Sequence, residues 1–254
     1  MALLEIKNLS LRFGGLRALT DFNVALDPGE LIGLIGPNGA GKTTAFNIIT
    51  GVYKPNAGSV TLKGQSIAGQ KPFQINRLGI ARTFQNIRLF NGLNVLDNVL
   101  VSSNRSVLSG FFGTVLRTPA HERIEHRRET EAMKLLQTFG LAERADELSS
   151  SLPYGDQRRL EIARALATKP SILLLDEPAA GMNPQEKVQL MELIGFIRKE
   201  FGVGILLIEH DMKLVMSICE KITVLDHGET IAVGPPQEIQ CNPKVIEAYL
   251  GEPM

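Results

Sequence analysis

The sequence predicts an α/β fold whose sheet has a parallel centre, and three observations carry that prediction. Short continuous apolar runs at 31–35, 172–175 and 204–208 read as strands buried on both faces. Stretches with apolar residues at helical spacing, at 42–50, 185–201 and 212–219, alternate with them. Between the first run and the first helix, residues 36–43 read Gly-Pro-Asn-Gly-Ala-Gly-Lys-Thr, which fills the G-x-x-x-x-G-K-[ST] phosphate-binding pattern.

The elements follow in order. Residues 3–13 alternate and read as a strand, and 22–26 as a second; Pro28-Gly29 turns the chain into the strand at 31–35. A polar turn with Pro55 and Gly58 leads to a short strand at 59–62, closed by Lys63-Gly64. A helical piece near 72–77 precedes a strand at 79–84, which ends at Gln85. From about 93 the pattern becomes helical. One amphipathic piece covers 95–101, and a longer one covers 120–139, with Ile124, Ala132, Met133, Leu136 and Phe139 in helical register before Gly140. Between them, Val107, Leu108, Phe111, Phe112, Val115 and Leu116 form an apolar stripe within 102–119, read as packing against the neighbouring helices rather than as a partner surface. A helix at 158–168, the strands and helices already named, a hairpin of 221–226 with 230–234 around His227-Gly228, and a helix at 243–249 complete the chain. The expected division is an α/β core over about 3–90 and 160–235, an inserted helical subdomain over about 91–159, and a C-terminal helix over 236–252.

Composition narrows the function. Lys plus Arg and Asp plus Glu number 27 each, so no global field points to nucleic acid or to an anionic membrane. Hydrophobic residues make up 44%, enough for a buried core. The two cysteines, Cys219 and Cys241, read as thiols in a reducing compartment rather than a disulfide framework. The first residues carry charges and lack the apolar core of a signal peptide, and no run approaches the ~20 apolar residues that span a bilayer.

The phosphate loop defines the chemistry. Glycines let the backbone curl so that successive N–H groups point inward, and the following helix adds the positive end of its dipole. Gly36, Pro37, Asn38, Gly39, Ala40, Gly41, Lys42, Thr43 and the adjoining Thr44 are the residues expected to hold the phosphates, with Lys42 on the β and γ phosphates and the Thr43 hydroxyl on Mg²⁺. The buried strand ending in Asp176-Glu177 puts two carboxylates at the C-terminal edge of the sheet, where such sheets bind ligands. Asp176 is expected to hold Mg²⁺ through water, and Glu177 to orient or deprotonate the attacking water. Gln85 follows a strand and is placed to sense the γ-phosphate or Mg²⁺. His210 follows the strand at 204–208 and lands on the same edge. Phe13, at the end of the first strand, has a ring suited to stacking on a purine, or to the core.

The order of these pieces resembles the nucleotide-binding subunit of an ATP-binding cassette transporter over nearly the whole chain. The resemblance implies a P-loop NTPase (RecA-like) core, an N-terminal antiparallel β subdomain and an inserted α-helical subdomain. It implies ATP and Mg²⁺ as cofactors, adenine stacking by Phe13, Gln85 as the glutamine loop and a metal contact, and His210 as a switch histidine beside the base Glu177. The family's Leu-Ser-Gly-Gly-Gln signature falls on Leu152, Pro153, Tyr154, Gly155, Asp156 and Gln157. Here the sequence departs: Pro153 has neither hydroxyl nor N–H, and only Gly155 remains for close approach to a phosphate. Asp156 is read as a cap of that helix. Asn183 stands where the family usually has aspartate.

More narrowly, residues 154–164, 177–184, 209–216 and 243–252, with the insert at 102–119, resemble the ATPase subunits of branched-chain amino acid importers. That resemblance implies a second ATPase subunit, expected to be a different chain with a homodimer as the alternative. It also implies two integral membrane permeases, an extracytoplasmic solute-binding protein, no nucleic acid, and a peripheral place on the cytoplasmic face of the inner membrane. Urea or amide importers and lipopolysaccharide-export ATPases are the nearest alternatives; a P-loop kinase and a non-hydrolysing regulatory subunit are more distant ones.

Overall fold

A computed structural model describes residues 2–103 and 119–250. Two compact units appear, Met1–Gln85 with Ser171–Met254, and Asn86–Pro170. The apolar stripe at 107–116 lies outside the described residues.

The first unit holds two sheets. Strands β1 (Leu4–Phe13), β2 (Leu16–Leu26), β4 (Ala57–Leu62) and β5 (Gln65–Ser66) form an antiparallel sheet in the order β2-β1-β4-β5. Strand β1 alternates until Lys7-Asn8, where the register shifts and Asn8 takes φ 49. Asparagine tolerates that left-handed conformation, and the bulge re-phases the strand so that Leu9 and Leu11 again face inward. Strand β2 begins at Leu16, not at 22, because Phe13 pairs directly with Leu16 across Gly14-Gly15. Its first half buries only Leu19 and is irregular in register, so it carries no clean period-2 signal.

The larger sheet runs β10-β9-β3-β8-β7-β6, built from β3 (Leu31–Ile35), β6 (Ile80–Arg82), β7 (Ile172–Asp176), β8 (Gly204–Ile208), β9 (Lys221–Asp226) and β10 (Glu229–Gly234). All neighbours are parallel except the β9–β10 hairpin. β3, β7 and β8 are buried at every position, as continuous apolar strands in the middle of a parallel sheet must be. Strand β6 is shorter than the expected 79–84: Gly79 is in the left-handed region at φ 115 and caps the preceding helix α2 (Pro72–Leu78). One buried cluster joins Leu4, Ile6 and Phe22 of the small sheet to Ile32, Ile172 and Leu206 of the large one. Helix α1 (Lys42–Ile49) adds Ala45, Phe46 and Ile49 to it. Phe46 and Ile49 each contribute about 1.5–3 kcal/mol by leaving water and Ala45 about 0.8 kcal/mol, so α1 is held firmly behind the loop that precedes it.

The second unit is helical: α3 (Val95–Ser103), α4 (Pro119–Thr138) and α5 (Tyr154–Ala167). Ala132, Leu136 and Phe139 are buried as the spacing predicts, whereas Ile124 is half exposed. Helix α5 starts at Tyr154 rather than 158, with Pro153 as its N-cap. Asp156 therefore lies inside the first turn and is not the cap; it pairs with Arg144 at 3.3 Å and Arg159 at 3.8 Å.

In the first unit again, α6 (Pro184–Phe201) and α7 (Met212–Ile218) follow β7 and β8. The C-terminal helix expected over 236–252 is two helices, α8 (Pro236–Gln240) and α9 (Pro243–Leu250), broken where Asn242 caps the second through Lys244 N at 3.0 Å. Residues 251–252 lie outside the described ones. Both cysteines are free; burial pushes the Cys219 thiol up to about 12, and Cys241 is exposed. Among the described residues no helix is long and apolar enough to cross a membrane.

Candidate functional site

Four neighbouring strands of the large sheet, β3-β8-β7-β6, end at one edge, and the predicted residues follow those ends: the loop at 36–41 after β3, His210 after β8, Asp176-Glu177 at β7 and Gln85 beyond β6.

The loop's shape is dictated by its glycines. Gly36 has φ 150, and a Cβ there would lie 2.0 Å from the Leu225 carbonyl oxygen; Gly41 has φ 102, and a Cβ would lie 2.7 Å from Ala18 O. Neither position accepts a side chain. Among the described residues no side chain caps α1, so its first-turn N–H groups are open to a ligand or to water. The Lys42 ammonium is buried and folds back onto Gly36 O at 2.7 Å and Pro37 O at 2.8 Å. Its pKa lies below the ordinary lysine value because burial disfavours the charge, an effect opposed by the negative charges of Glu177 and Asp176. Thr43 is exposed and Thr44 half-buried.

Glu177 is the hub of the opposite wall. Gln85 Nε2 donates to its Oε2 at 2.7 Å, and His210 Nε2 donates to its Oε1 at 2.6 Å. Three residues from distant parts of the chain thus meet on one carboxylate. Glu177 adopts φ 47, an uncommon backbone for a side chain with a Cβ, and its N–H is fixed on Ile208 O at 2.9 Å. Asp176, one residue back, is buried and accepts from Arg82 Nη2 through Oδ2 at 2.7 Å.

Phe13 is 45% exposed at the end of β1 and meets Tyr53 edge-on, ring centroids 5.1 Å apart. The signature positions lie in the second unit: Leu152 is buried and its carbonyl accepts from Gln157 Nε2 at 2.8 Å, while Pro153 and Tyr154 are exposed and Gly155 is half-buried. Arg158, fully buried, donates to Glu161 at 2.7 Å and to the Tyr154 hydroxyl at 3.3 Å, which fixes the first turn of α5.

A profile of ABC transporter sequences matches residues 19–180. The chain is 49% identical over 250 residues to the high-affinity branched-chain amino acid transport ATP-binding protein LivG of Escherichia coli (strain K12), covering 98% of both chains. The chain belongs to the ABC transporter family. A second profile, for branched-chain amino acid ATP-binding cassette transporters, matches residues 229–253. The corresponding protein BraF of Pseudomonas aeruginosa is 47% identical over 98% of both chains, and the lipopolysaccharide export system ATP-binding protein LptB of Escherichia coli (strain K12) is 34% identical over 99% of this chain and 98% of its own. A solved ATP-binding cassette of an ABC transporter in its ADP conformation superposes with TM-score 0.84 at 28% identity, covering 99% of this chain and 100% of that one. A nucleotide-free cassette gives TM-score 0.85 at 29% identity over the same shares. As an ABC cassette the chain is a nucleotide-binding ATPase.

Within this ABC cassette the structure adds residues that the sequence reading left without a role. Arg82 pairs with Asp176. Glu209 is buried between the strand ends, accepts from Ala179 N at 2.7 Å and His210 N at 3.2 Å, and has its carboxyl raised above the ordinary value by burial. Asn183 caps α6 reciprocally with Glu186, 2.9 Å in each direction, a capping box visible in the spacing Asn183-Pro-Gln-Glu186. Tyr249 of α9 is raised by burial and lies by the backbone of Gly36, so the C-terminal helix reaches the phosphate loop.

Proposed function

We propose that this chain is the ATP-hydrolysing subunit of a branched-chain amino acid importer. The meeting of Gln85, Glu177 and His210 on one carboxylate across from Lys42 is the observation that carries the hydrolytic part of this reading. The transported solute is supported by the 49% and 47% identities to LivG and BraF and by the C-terminal match at 229–253, against 34% to the lipopolysaccharide-export relative.

Nucleotide and metal fit the residues present. Gly36 and Gly41 make a cradle that a Cβ would fill, and the uncapped start of α1 faces it with N–H groups. Among the described residues no group of three or more His, Cys, Asp and Glu side chains is fit to hold a metal unaided. The donors at hand, Thr43, Gln85 and Asp176, suit a Mg²⁺ that keeps waters and completes its shell with phosphate oxygens. When bound, Mg²⁺ neutralises charge on the β and γ phosphates.

The chain's own residues then have distinct tasks. Lys42 exchanges its two carbonyl partners for phosphate oxygens, whose negative charge favours the ammonium form that burial disfavours. Glu177 accepts the proton of the attacking water, and His210 and Gln85 fix the orientation of its carboxylate. Phe13, presented at the end of β1 beside Tyr53, stacks on adenine. The signature of α5 serves a partner subunit's nucleotide; Pro153 and Tyr154 make it a weak donor, which favours pairing with a different ATPase chain. In the assembly the two permeases span the inner membrane, the binding protein serves them from the extracytoplasmic side, and this chain is peripheral on the cytoplasmic face.

The test is reconstitution in liposomes with the permeases and binding protein, with and without a second ATPase subunit. Leucine, isoleucine or valine stimulates ATP hydrolysis and uptake only with the second subunit present, and Lys42→Ala abolishes both. Stimulation by urea instead overturns the solute. Full activity with this ATPase alone overturns the unequal pairing, and normal turnover of Lys42→Ala overturns the site.

A further inference from the structure

Arg82 is a buried cation to which the reading above gives no task. It lies on edge strand β6 in register with Leu174 of β7. Nη2 donates to Asp176 Oδ2 at 2.7 Å, and Nη1 donates to Asn47 Oδ1 at 2.7 Å and Thr50 Oγ1 at 3.4 Å. The guanidinium lies against the rings of Phe46 and Phe84, 5.4 and 5.0 Å from their centroids. The Arg82 and Asp176 side chains are 7% and 5% exposed, and Arg82 Nε is buried with no hydrogen-bond partner among the described residues. An ion pair so buried, with one donor unsatisfied, is a costly way to anchor an edge strand; apolar packing of equal volume usually does as well or better. The charge therefore calls for an explanation that packing does not supply.

Position supplies it. Asn47, Thr50 and Phe46 all belong to α1 or its C-cap, the helix that begins with Lys42, so Arg82 is held in place independently of Asp176. A buried carboxylate without a counter-charge attracts any divalent ion, and affinity rises with the net negative charge of the ligand set. Arg82, in contact at 2.7 Å, cancels that charge on one oxygen of Asp176 before any metal arrives, whereas Lys42 acts on Asp176 and Glu177 together and is bonded to Gly36 O and Pro37 O. We infer that Arg82 is the resident counter-ion of Asp176 and a specificity-determining residue: it makes the site accept a divalent metal together with nucleotide phosphates and refuse the bare ion. This rests on the reading of Asp176 as the metal carboxylate. Nucleotide brings the extra negative charge that the arginine has taken away, so metal and phosphate enter and leave together.

The experiment uses the nucleotide-free full-length protein with Mn²⁺ as the probe, free ion being counted by electron paramagnetic resonance. Arg82→Met binds Mn²⁺ at least about 10-fold more tightly than wild type, as expected for removing a unit charge in contact with the carboxylate. Arg82→Gln, which keeps hydrogen-bonding capacity, gives the same gain and stands in if the methionine variant does not fold. Arg82→Lys keeps the charge and stays within about threefold of wild type. Adding Asp176→Asn to Arg82→Met removes the gain. Equal Mn²⁺ affinity in wild type and the neutral variants overturns the proposal, as does a gain that survives Asp176→Asn. A parallel titration with a non-hydrolysable ATP analogue separates the two layers. If Asp176→Asn weakens Mn²⁺ binding there, the metal reading stands whatever becomes of Arg82; if it does not, both fall.

Discussion

On the proposed reading of Glu177 as the base, replacing it by glutamine separates the chemical step from binding, and the contacts of its carboxylate bound the structural part of the effect. The substitution keeps shape, so the φ of 47 and the N–H bond to Ile208 O are untouched. The carboxylate now accepts two donors, Gln85 Nε2 and His210 Nε2. An amide has one oxygen, so one contact becomes donor against donor and is lost. A hydrogen bond to a charged group contributes about 1.5–3 kcal/mol, and because the side chain is 13% exposed, water can replace the lost partner and hold the cost near the lower end. Loss of a positioned general base costs about 10²–10⁴-fold in rate, or about 2.7–5.4 kcal/mol on the barrier. The catalytic effect therefore exceeds the structural one. In single-turnover ATP hydrolysis by the assembled transporter, Glu177→Gln falls at least about 100-fold, while nucleotide affinity measured with a fluorescent ATP analogue changes less than about 10-fold. Turnover within about threefold of wild type would refute the assignment and move the base elsewhere.

Two further substitutions probe the walls of the site. Gly36→Ala puts a Cβ at 2.0 Å from Leu225 O; the loop must move, at a cost on the order of 3 kcal/mol, and equilibrium binding of the fluorescent analogue is lost, whereas unaltered affinity would show that the loop has room. Asp211 accepts from the first-turn N–H groups of α7 and pairs with Lys187 at 2.9 Å, and that lysine chiefly holds its carboxyl below the ordinary 3.8. Because the folded-state value is depressed, the stability it confers is present above 3.8 and is lost as pH falls through the lower folded value. Asp211→Asn keeps a good cap and removes the half-buried pair, so it costs on the order of 1 kcal/mol at neutral pH. The gap in urea midpoint between the two proteins closes on acidification, and a gap constant with pH would contradict the ion-pair account.

Local patterns made part of this legible. The loop at 36–43 stands out because its pattern lies in eight adjacent residues, and the strand ending at Asp176 reads because burial on both faces leaves an unbroken apolar run. The convergence of Gln85 and His210 on the same sheet edge followed from their places after strands, but their common attachment to Glu177 did not, since it depends on side chains 92 and 33 residues away. Arg82 was invisible for the same reason: its carboxylate is 94 residues distant, and an arginine in a short strand reads as an edge residue facing water. The start of α5 was missed because Pro153 and Gly155 are poor helix interiors, although proline is tolerated ahead of the first turn. Strand β2 was cut short because its pairing, rather than its hydrophobicity, extends it to Leu16.

His210 is flanked by two acids with opposite burdens. On one side Glu209 ties down the histidine's own N–H and that of Ala179; on the other Asp211 closes the first turn of α7. The main chain on either side of the imidazole is thus moored, while the side chain itself is 42% exposed. Breaking the 2.6 Å contact with Glu177 asks only for rotation about the side-chain bonds, with no strand or helix obliged to shift. It is built as a latch whose hinge is bolted and whose arm is held only at its tip, so the lifetime of the latched state is set by what the arm touches, and not by the fold that carries it.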